Sequence, residues 1–211
     1  MVVAPSLNRE RDLWRAGCAR VVGVDEAGLG PLAGPVVAAA CLLPVGCEMI
    51  EGVRDSKTLS ASQRERLFVE IQRQAVAVGV AAASVGEIEE LNVLAASHLA
   101  MRRALSRVSP FDHVLVDGRD FRDSSLGPHT AIIDGDALSY SIACASIIAK
   151  VTRDRLMKKL AALFPGYGWE RNAGYGSPHH LQALKMLGPT PFHRRSFAPV
   201  RTLVSPSLFP L

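Results

Sequence analysis

The chain has few cysteines, few aromatics and no long apolar run, and each shortage removes a class of function. Its four cysteines, Cys18, Cys41, Cys47 and Cys144, show no Cys-x-x-Cys spacing. They read as reduced thiols, not as a disulfide frame or a zinc site. Aromatics make up 6% of the residues, too few for a surface that binds single strands by stacking. The longest apolar stretch, residues 35–45, is cut by Pro44 and is too short to span a bilayer. Arg9, Glu10, Arg11 and Asp12 come too early for a secretory signal. A soluble, cytoplasmic protein without membrane attachment is the expectation. Phosphate-loop and Gly-x-Ser-x-Gly patterns are also missing. Gly28-Leu29-Gly30-Pro31-Leu32-Ala33-Gly34 is no dinucleotide fingerprint, because its third glycine falls one residue late and Pro31 interrupts it.

Acidic residues are scarce in one region only. Residues 137–211 hold 10 Lys/Arg against 2 Asp/Glu, whereas residues 1–136 hold 14 against 18. A metal-holding region followed by a region that attracts a polyanion would divide charge in this way, and so would a solvated basic surface. The 211 residues, 48% hydrophobic and 21% charged, fit one globular domain with a substantial core.

Apolar runs at residues 21–24 and 35–43 predict strands, the second nearly continuous as in a sheet covered on both faces. Ser60-Ala61-Ser62-Gln63 has the form of a capping box and opens a helix to about residue 77. Residues 78–85 read as a strand and 92–108 as a helix. Short strands at 113–116 and 131–133 lead to Asp117 and to Gly135-Asp136. A long helix is expected over 141–164, with Ala145, Ala149, Thr152, Leu156, Leu160 and Leu163 as its apolar stripe. Ser177-Pro178 suits the start of a helix that Gly188-Pro189 stops. The fold class is therefore α/β, a mixed sheet flanked by helices with a helical C-terminal third.

The side chains that carry chemistry are acids. Asp25 and Glu26 follow an apolar strand and precede Gly28 and Gly30, which let a ligand approach the main chain. Asp117 and Asp136 each follow a strand of their own, with Asp134 as the alternative to Asp136. Acids at several strand ends suit ligand binding at the carboxyl edge of a sheet; singly, each reads as a turn former. Oxygen-only ligands suit hard cations, Mg²⁺ or Mn²⁺. Two such ions about 4 Å apart can activate water and stabilise the leaving oxygen of a phosphodiester. His179-His180 reads as a helix surface pair, and Asp154, four residues from Lys150 and Lys158, as a helix ion-pair residue.

Read together, these segments resemble bacterial ribonuclease HII, the type 2 ribonuclease H. The likeness begins at Gly23-Val24-Asp25-Glu26-Ala27-Gly28-Leu29-Gly30-Pro31-Leu32-Ala33-Gly34-Pro35-Val36-Val37. It continues at Asp55-Ser56-Lys57-Thr58-Leu59-Ser60, Val116-Asp117-Gly118, Gly135-Asp136 and the run from Ala145 to Asp154. Gly174-Tyr175-Gly176 and the run from Gly188 to Phe197 complete it, so that it covers about residues 20–200. The resemblance implies a ribonuclease H-like fold in residues 20–200, with 1–19 as an extension and 201–211 as a tail. The twenty or so residues before the first strand are too few for the added N-terminal domain of the sister enzyme ribonuclease HIII.

The implied activity is metal-dependent endonucleolytic cleavage of RNA in RNA–DNA hybrids, and incision 5′ to a single ribonucleotide in duplex DNA. Those two nucleic acids are the implied partners, the protein being a monomer, with Mn²⁺ or Mg²⁺ as cofactor. The family's acids fall on Asp25, Glu26 (by side chain or main chain), Asp117 and Asp136. Its glycine-x-glycine element, which contacts the ribose 2′-hydroxyl, falls on Gly28-Leu29-Gly30. Tyr175 matches its sugar-stacking tyrosine and Lys57 its phosphate-side lysine. Lys150, Arg194 and Arg195 are read as backbone attraction, or in part as helix surface or structural residues. Two departures stand out. Leu29 occupies the place of the usual arginine, and Asn172-Ala173 replace the common His-Lys. They motivate the alternative of a catalytically silent hybrid-binding relative and predict weakened substrate affinity.

Overall fold

The computed structural model describes residues 4–119 and 126–204; residues 205–211, most of the expected tail, lie outside them. Strand β2 (Val36–Leu42) shows how the sequence builds the core. All seven of its residues are buried. Side chains of a strand alternate between faces: Val36, Ala38, Ala40 and Leu42 join one apolar cluster, Ala39 and Cys41 another. Both faces are covered, which is why the sequence reads as an unbroken apolar run.

Around it stand β1 (Val21–Ala27), β3 (Ala77–Ala83), β4 (His113–Asp117) and β5 (His129–Ile132), in the order β3-β2-β1-β4-β5. The first three pair antiparallel; β1, β4 and β5 run parallel. Helix α4 (Val93–Leu105) covers one face, and α2 (Ala61–Gln74) with α6 (Tyr140–Leu163) covers the other. α6 crosses β1 so closely that a Cβ at Gly23 would stand 2.2 Å from the Ser141 carbonyl carbon. Only glycine permits that crossing. The capping box at Ser60 and Gln63 forms as the sequence predicts.

Several expectations are corrected. β1 continues through Ala27, so Asp25 and Glu26 lie within the strand, not beyond it. Asp136 does not end a strand: β5 stops at Ile132, and Asp136 lies in the four-residue helix α5 (Gly135–Leu138). The region between residues 78 and 92 is a strand followed by helix α3 (Val85–Leu91), with its own Ser84/Glu87 capping box. The expected stripe of α6 holds at Ala145, Ala149 and Leu160 but not at Leu156 and Leu163, which are exposed, while Arg153 and Met157 are buried. An apolar face read at strict spacing drifts along 24 residues, and here the C-terminal segment covers a different face.

The N-terminal segment contributes a helix, α1 (Asn8–Arg15). Its Glu10 is fully buried and accepts hydrogen bonds from Ser139 Oγ (2.6 Å), Ser141 N (2.9 Å) and Ser141 Oγ (2.7 Å). A carboxylate therefore sits at the N-terminus of α6, where free amides and the helix dipole favour it. The C-terminal third adds α7 (Trp169–Asn172), α8 (Pro178–Leu187) and α9 (Ala198–Val204) around a cluster of Leu32, Met157, Tyr167, Trp169 and Leu184.

Candidate active site

The acids meet where the sheet changes from antiparallel to parallel. β1 and β4 are parallel neighbours in the register Val24↔Val116, so Asp25 and Asp117 follow at the same end of adjacent strands. Alternation along β1 turns Asp25 to the α6 side, the side on which Gly23 meets Ser141, and its Oδ1 accepts from Glu26 N at 2.7 Å. Asp117 Oδ1 accepts from Gly135 N at 2.7 Å and so fixes the start of α5 and the place of Asp136. Asp134, the alternative acid, adopts the left-handed conformation at φ 53° and is exposed, whereas Asp136 is buried.

Asp25, Glu26 and Asp117 line a cavity of about 340 Å³ together with Gly28, Leu29, Gly30, Lys57 and Tyr175. Asp136 stands beside it, its Oδ2 accepting from Lys57 Nζ at 3.2 Å. Lys57 projects from a 3₁₀ turn, Ser56–Thr58, in which Asp55 Oδ1 accepts from Lys57 N at 2.8 Å. That turn is held to the body twice. Ser56 Oγ and Ser146 Oγ lie 2.9 Å apart, and Arg64 Nη1 donates to the Ser56 and Leu59 carbonyls. Asp154 accepts from Lys150 (2.7 Å), as its helical spacing predicts, and also pairs with Arg64 at 3.6 Å.

Burial and crowding perturb the acids. Burial raises the Asp25 carboxyl well above its ordinary value, and the charges of Glu26 and Asp117 push it further. Glu26 is pushed up to about 7, by burial first and then by Asp117, against the pull of Lys57. Asp136 is raised by burial, with Asp55 and Asp117 adding to the shift and Lys57 opposing it. Burial lowers the Lys57 ammonium, but the charge and hydrogen bond of Asp136 outweigh it and the net shift is upward. Carboxyls that hold protons because they are buried, and then because they are crowded together, are suited to a cation that would replace those protons. Among the described residues no three His, Cys, Asp or Glu side chains already stand as a ready metal cage. The donor set nevertheless fits a hard divalent cation: carboxylates only, with one ammonium already drawn to Asp136.

The turn and Tyr175 complete the cavity wall. Gly28 has φ 107°, and a Cβ there would lie 2.2 Å from Arg153 Nε. Tyr175 is 47% exposed, and a Cβ at Gly30 would stand 3.6 Å from its ring. Asn172 organises the preceding loop, its side chain accepting from Gly174 N (2.9 Å) and donating to the Tyr167 carbonyl (2.8 Å).

Arg194 is fully buried and bonds main-chain carbonyls, so the structural alternative holds for it and it offers no surface attraction. One sequence reading is overturned here. His180 is fully buried too, donating from Nδ1 to the Tyr175 carbonyl (2.8 Å), and is no surface residue. Ser146 and Arg153 also line the cavity, and neither has a residue type that announces a site. Their spacing from Lys150 on α6, four residues before and three after, is the signal that places all three on one face.

The comparisons with known proteins decide the family. A model of the family described as ribonuclease HII matches residues 22–200. The chain belongs to the ribonuclease HII family. It is 59% identical over 192 residues to ribonuclease HII of Thermosynechococcus vestitus (strain NIES-2133 / IAM M-273 / BP-1), covering 91% of this chain and 90% of that one. It is 52% identical over 205 residues to ribonuclease HII of Synechococcus sp. (strain JA-3-3Ab), covering 96% and 92%. Among solved structures, that of ribonuclease H2 from Pyrococcus horikoshii OT3 superposes with a TM-score of 0.73 at 30% identity, covering 87% and 96% of the two chains. The fold is thus the ribonuclease H-like one, and the chain is a type 2 ribonuclease H, an endonuclease of a divalent-metal-dependent family. No helix among the described residues is long and apolar enough to cross a membrane.

Proposed function

We propose that this ribonuclease HII incises duplex DNA 5′ to a single embedded ribonucleotide, as well as cutting RNA in RNA–DNA hybrids, and leaves a 3′-hydroxyl and a 5′-phosphate. One observation carries the reading: Asp25, Glu26 and Asp117 share a cavity with Lys57, the Gly28–Gly30 turn and Tyr175, with Asp136 alongside. In this reading Asp25, Glu26, Asp117 and Asp136 hold Mn²⁺ or Mg²⁺. Such ions, when bound, supply Lewis-acid activation of water and stabilise the departing 3′-oxygen.

The chain's own residues select and orient the substrate. The 2′-hydroxyl is the one feature that distinguishes a ribonucleotide from its neighbours in DNA, so a selective site must touch it. Gly28, Leu29 and Gly30 line the cavity, and main-chain groups of this turn make that contact. Tyr175 stacks on the adjoining sugar, and Lys57, whose side chain is 75% exposed, reaches a phosphate. The enzyme acts as a cytoplasmic monomer, with residues 20–200 as catalytic domain, 1–19 as extension and 201–211 as tail. A silent hybrid-binding role is disfavoured by the raised carboxyls, since a pure binder gains nothing from buried, mutually repelling acids.

The test uses a labelled DNA duplex with one ribonucleotide and a matched all-DNA duplex, with Mn²⁺ or with chelator. A nick in the first duplex only, and only with Mn²⁺, is expected. An intact ribonucleotide duplex at high enzyme concentration would leave a binding protein as the answer.

A further inference from the structure

Two arginines lie beneath the Gly28–Gly30 turn without a carboxylate within bonding reach among the described residues. Arg153 and Arg194 are 1% and 0% exposed. Arg153 donates to the carbonyls of Pro35 (3.1 Å), Ala33 (3.1 Å) and Ala173 (2.9 Å). Arg194 donates to those of Gly28 (2.6 Å), Leu29 (2.9 Å) and Gly34 (3.0 and 2.8 Å), with its guanidinium 5.1 Å from the centre of the Phe197 ring. Each meets three main-chain carbonyls that an apolar side chain would leave unmatched, which offsets the cost of burying a charge without a paired carboxylate. Carbonyl pairing alone gives no reason for the two to converge on this one turn.

Their geometry does give one. A trans peptide is planar, so its N–H points opposite to its C=O. Arg194 draws the Gly28 and Leu29 carbonyls inward, which turns the amides of Leu29 and Gly30 the other way, toward the cavity that these residues line. Arg153 ties the strand after the turn to Ala173, two residues before Tyr175. The two sides of the candidate ribonucleotide pocket are thus set against each other by this pair. Both guanidiniums stay protonated at neutral pH, although burial, and then the neighbouring Arg153, lowers Arg194 to about 9. Their charge also favours an electron-rich group in front of the turn.

We propose that Arg153 and Arg194 are positioning residues that aim the Leu29 and Gly30 amides at the substrate ribose, so that selectivity for ribose over deoxyribose rests on them and not on the side chain at position 29. The proposal deepens the reading above and rests on it in one respect, that the turn touches the substrate.

Arg153→Lys and Arg194→Lys keep the charge and lose most of the hydrogen bonds. For each, KM and kcat are measured on the single-ribonucleotide duplex with Mn²⁺, and Ki for the all-DNA duplex as competitor. The expected result is a KM raised about tenfold with kcat within about twofold and Ki unchanged, so that ribose preference falls about tenfold. A purely structural role would lower only the active fraction, leaving KM and preference as in the parent, and would overturn the proposal. Should the lysine variants not fold, Phe197→Leu loosens Arg194 without removing it. A KM rise of about threefold is expected there, and an unchanged KM overturns the proposal. Gly30→Ala separates the layers, because its added Cβ meets nothing closer than Tyr175 at 3.6 Å. If Gly30→Ala leaves KM unmoved, the turn does not touch the substrate and the underlying reading falls. If it raises KM while no arginine or Phe197 variant does, only the positioning role falls.

Discussion

Replacing Asp117 by Asn changes one atom and one charge. Asn Oδ1 can still accept from Gly135 N, so the start of α5 keeps its anchor. Cleavage by Asp117→Asn is expected to fall by roughly 10³-fold or more while duplex affinity stays within about threefold, measured by single-turnover nicking and fluorescence titration. Nicking at the parental rate would remove Asp117 from the catalytic set. Leu29 poses the opposite question. Its side chain packs on the cluster of Val22, Val24 and Ala38, while its carbonyl is held by Arg194 whatever the side chain. Leu29→Arg adds a charged phosphate contact worth about 1.5–3 kcal/mol, so KM on a single-ribonucleotide duplex should fall by about tenfold or more. Unchanged KM and kcat would refute the link between this departure and weak binding. At this scale the resemblance picked out Tyr175, which the structure places on the cavity wall, while Arg194 stayed open between surface and structural roles. An arginine in a basic segment fits either, and only the fold reveals the carbonyls that surround it.

Glu10 shows what an element contributes that its sequence does not announce. α1 is short and mostly polar, with no side-chain cap, so nothing in its pattern distinguishes it from a loose extension. Yet its one buried carboxylate receives three hydrogen bonds at the start of α6. Glu10→Ala is expected to lower stability by about 3 kcal/mol, read as the shift of a urea midpoint, because it leaves buried donors unmatched. A midpoint within error of the parent would show that the N-terminal segment does not brace the core. α3 was legible in principle, since its Ser84/Glu87 box is as clear as the Ser60/Gln63 box that was read. His180 was legible too: with Ala183 and Leu184 it occupies one face of α8, all three buried.

The histidines also give the C-terminal elements a pH signature. His193 accepts from Thr190 N at 2.9 Å, and its Nε2 lies 3.1 Å from that of His180, which also accepts from Trp169 Nε1. Burial, and then the neighbouring His180, lowers His193 to about 4, and burial lowers His180 also. In the unfolded chain both would titrate near 6.5. At these two histidines the unfolded state therefore binds more protons in the window from about 6.5 down to about 4, and their contribution to stability is lost as pH falls through it. The raised Glu26 carboxyl opposes this, because it takes up a proton in the fold over part of the same range. Above that window no such loss is expected. Urea midpoints at pH 7 and pH 5 test this by difference, because the carboxyls act alike in both proteins: the change on acidification is expected to be less destabilising in His193→Gln than in the parent, and equal changes would contradict it.

Across the whole molecule, the order of the sheet brings the distant acids together. Asp25 and Asp117 are separated by two strands and several helices in the chain, yet lie on adjacent parallel strands in space. The sequence disclosed that acids follow apolar strands, which is a local pattern. It could not disclose that β4 docks beside β1, nor that Asp136 arrives on a short helix held by Asp117, because those are consequences of packing. The charge division along the chain is only partly a division in space. Arg153 and Arg194 are internal, and Lys150 is engaged by Asp154. The direct measurement of the central claim is the cut site itself: a 5′-labelled duplex with one ribonucleotide is incubated with enzyme and Mn²⁺, and the product is resolved at single-nucleotide length. The account predicts one product, ending in a 3′-hydroxyl on the deoxyribonucleotide just before the ribonucleotide. A cut on the 3′ side, or no cut at all, would contradict it.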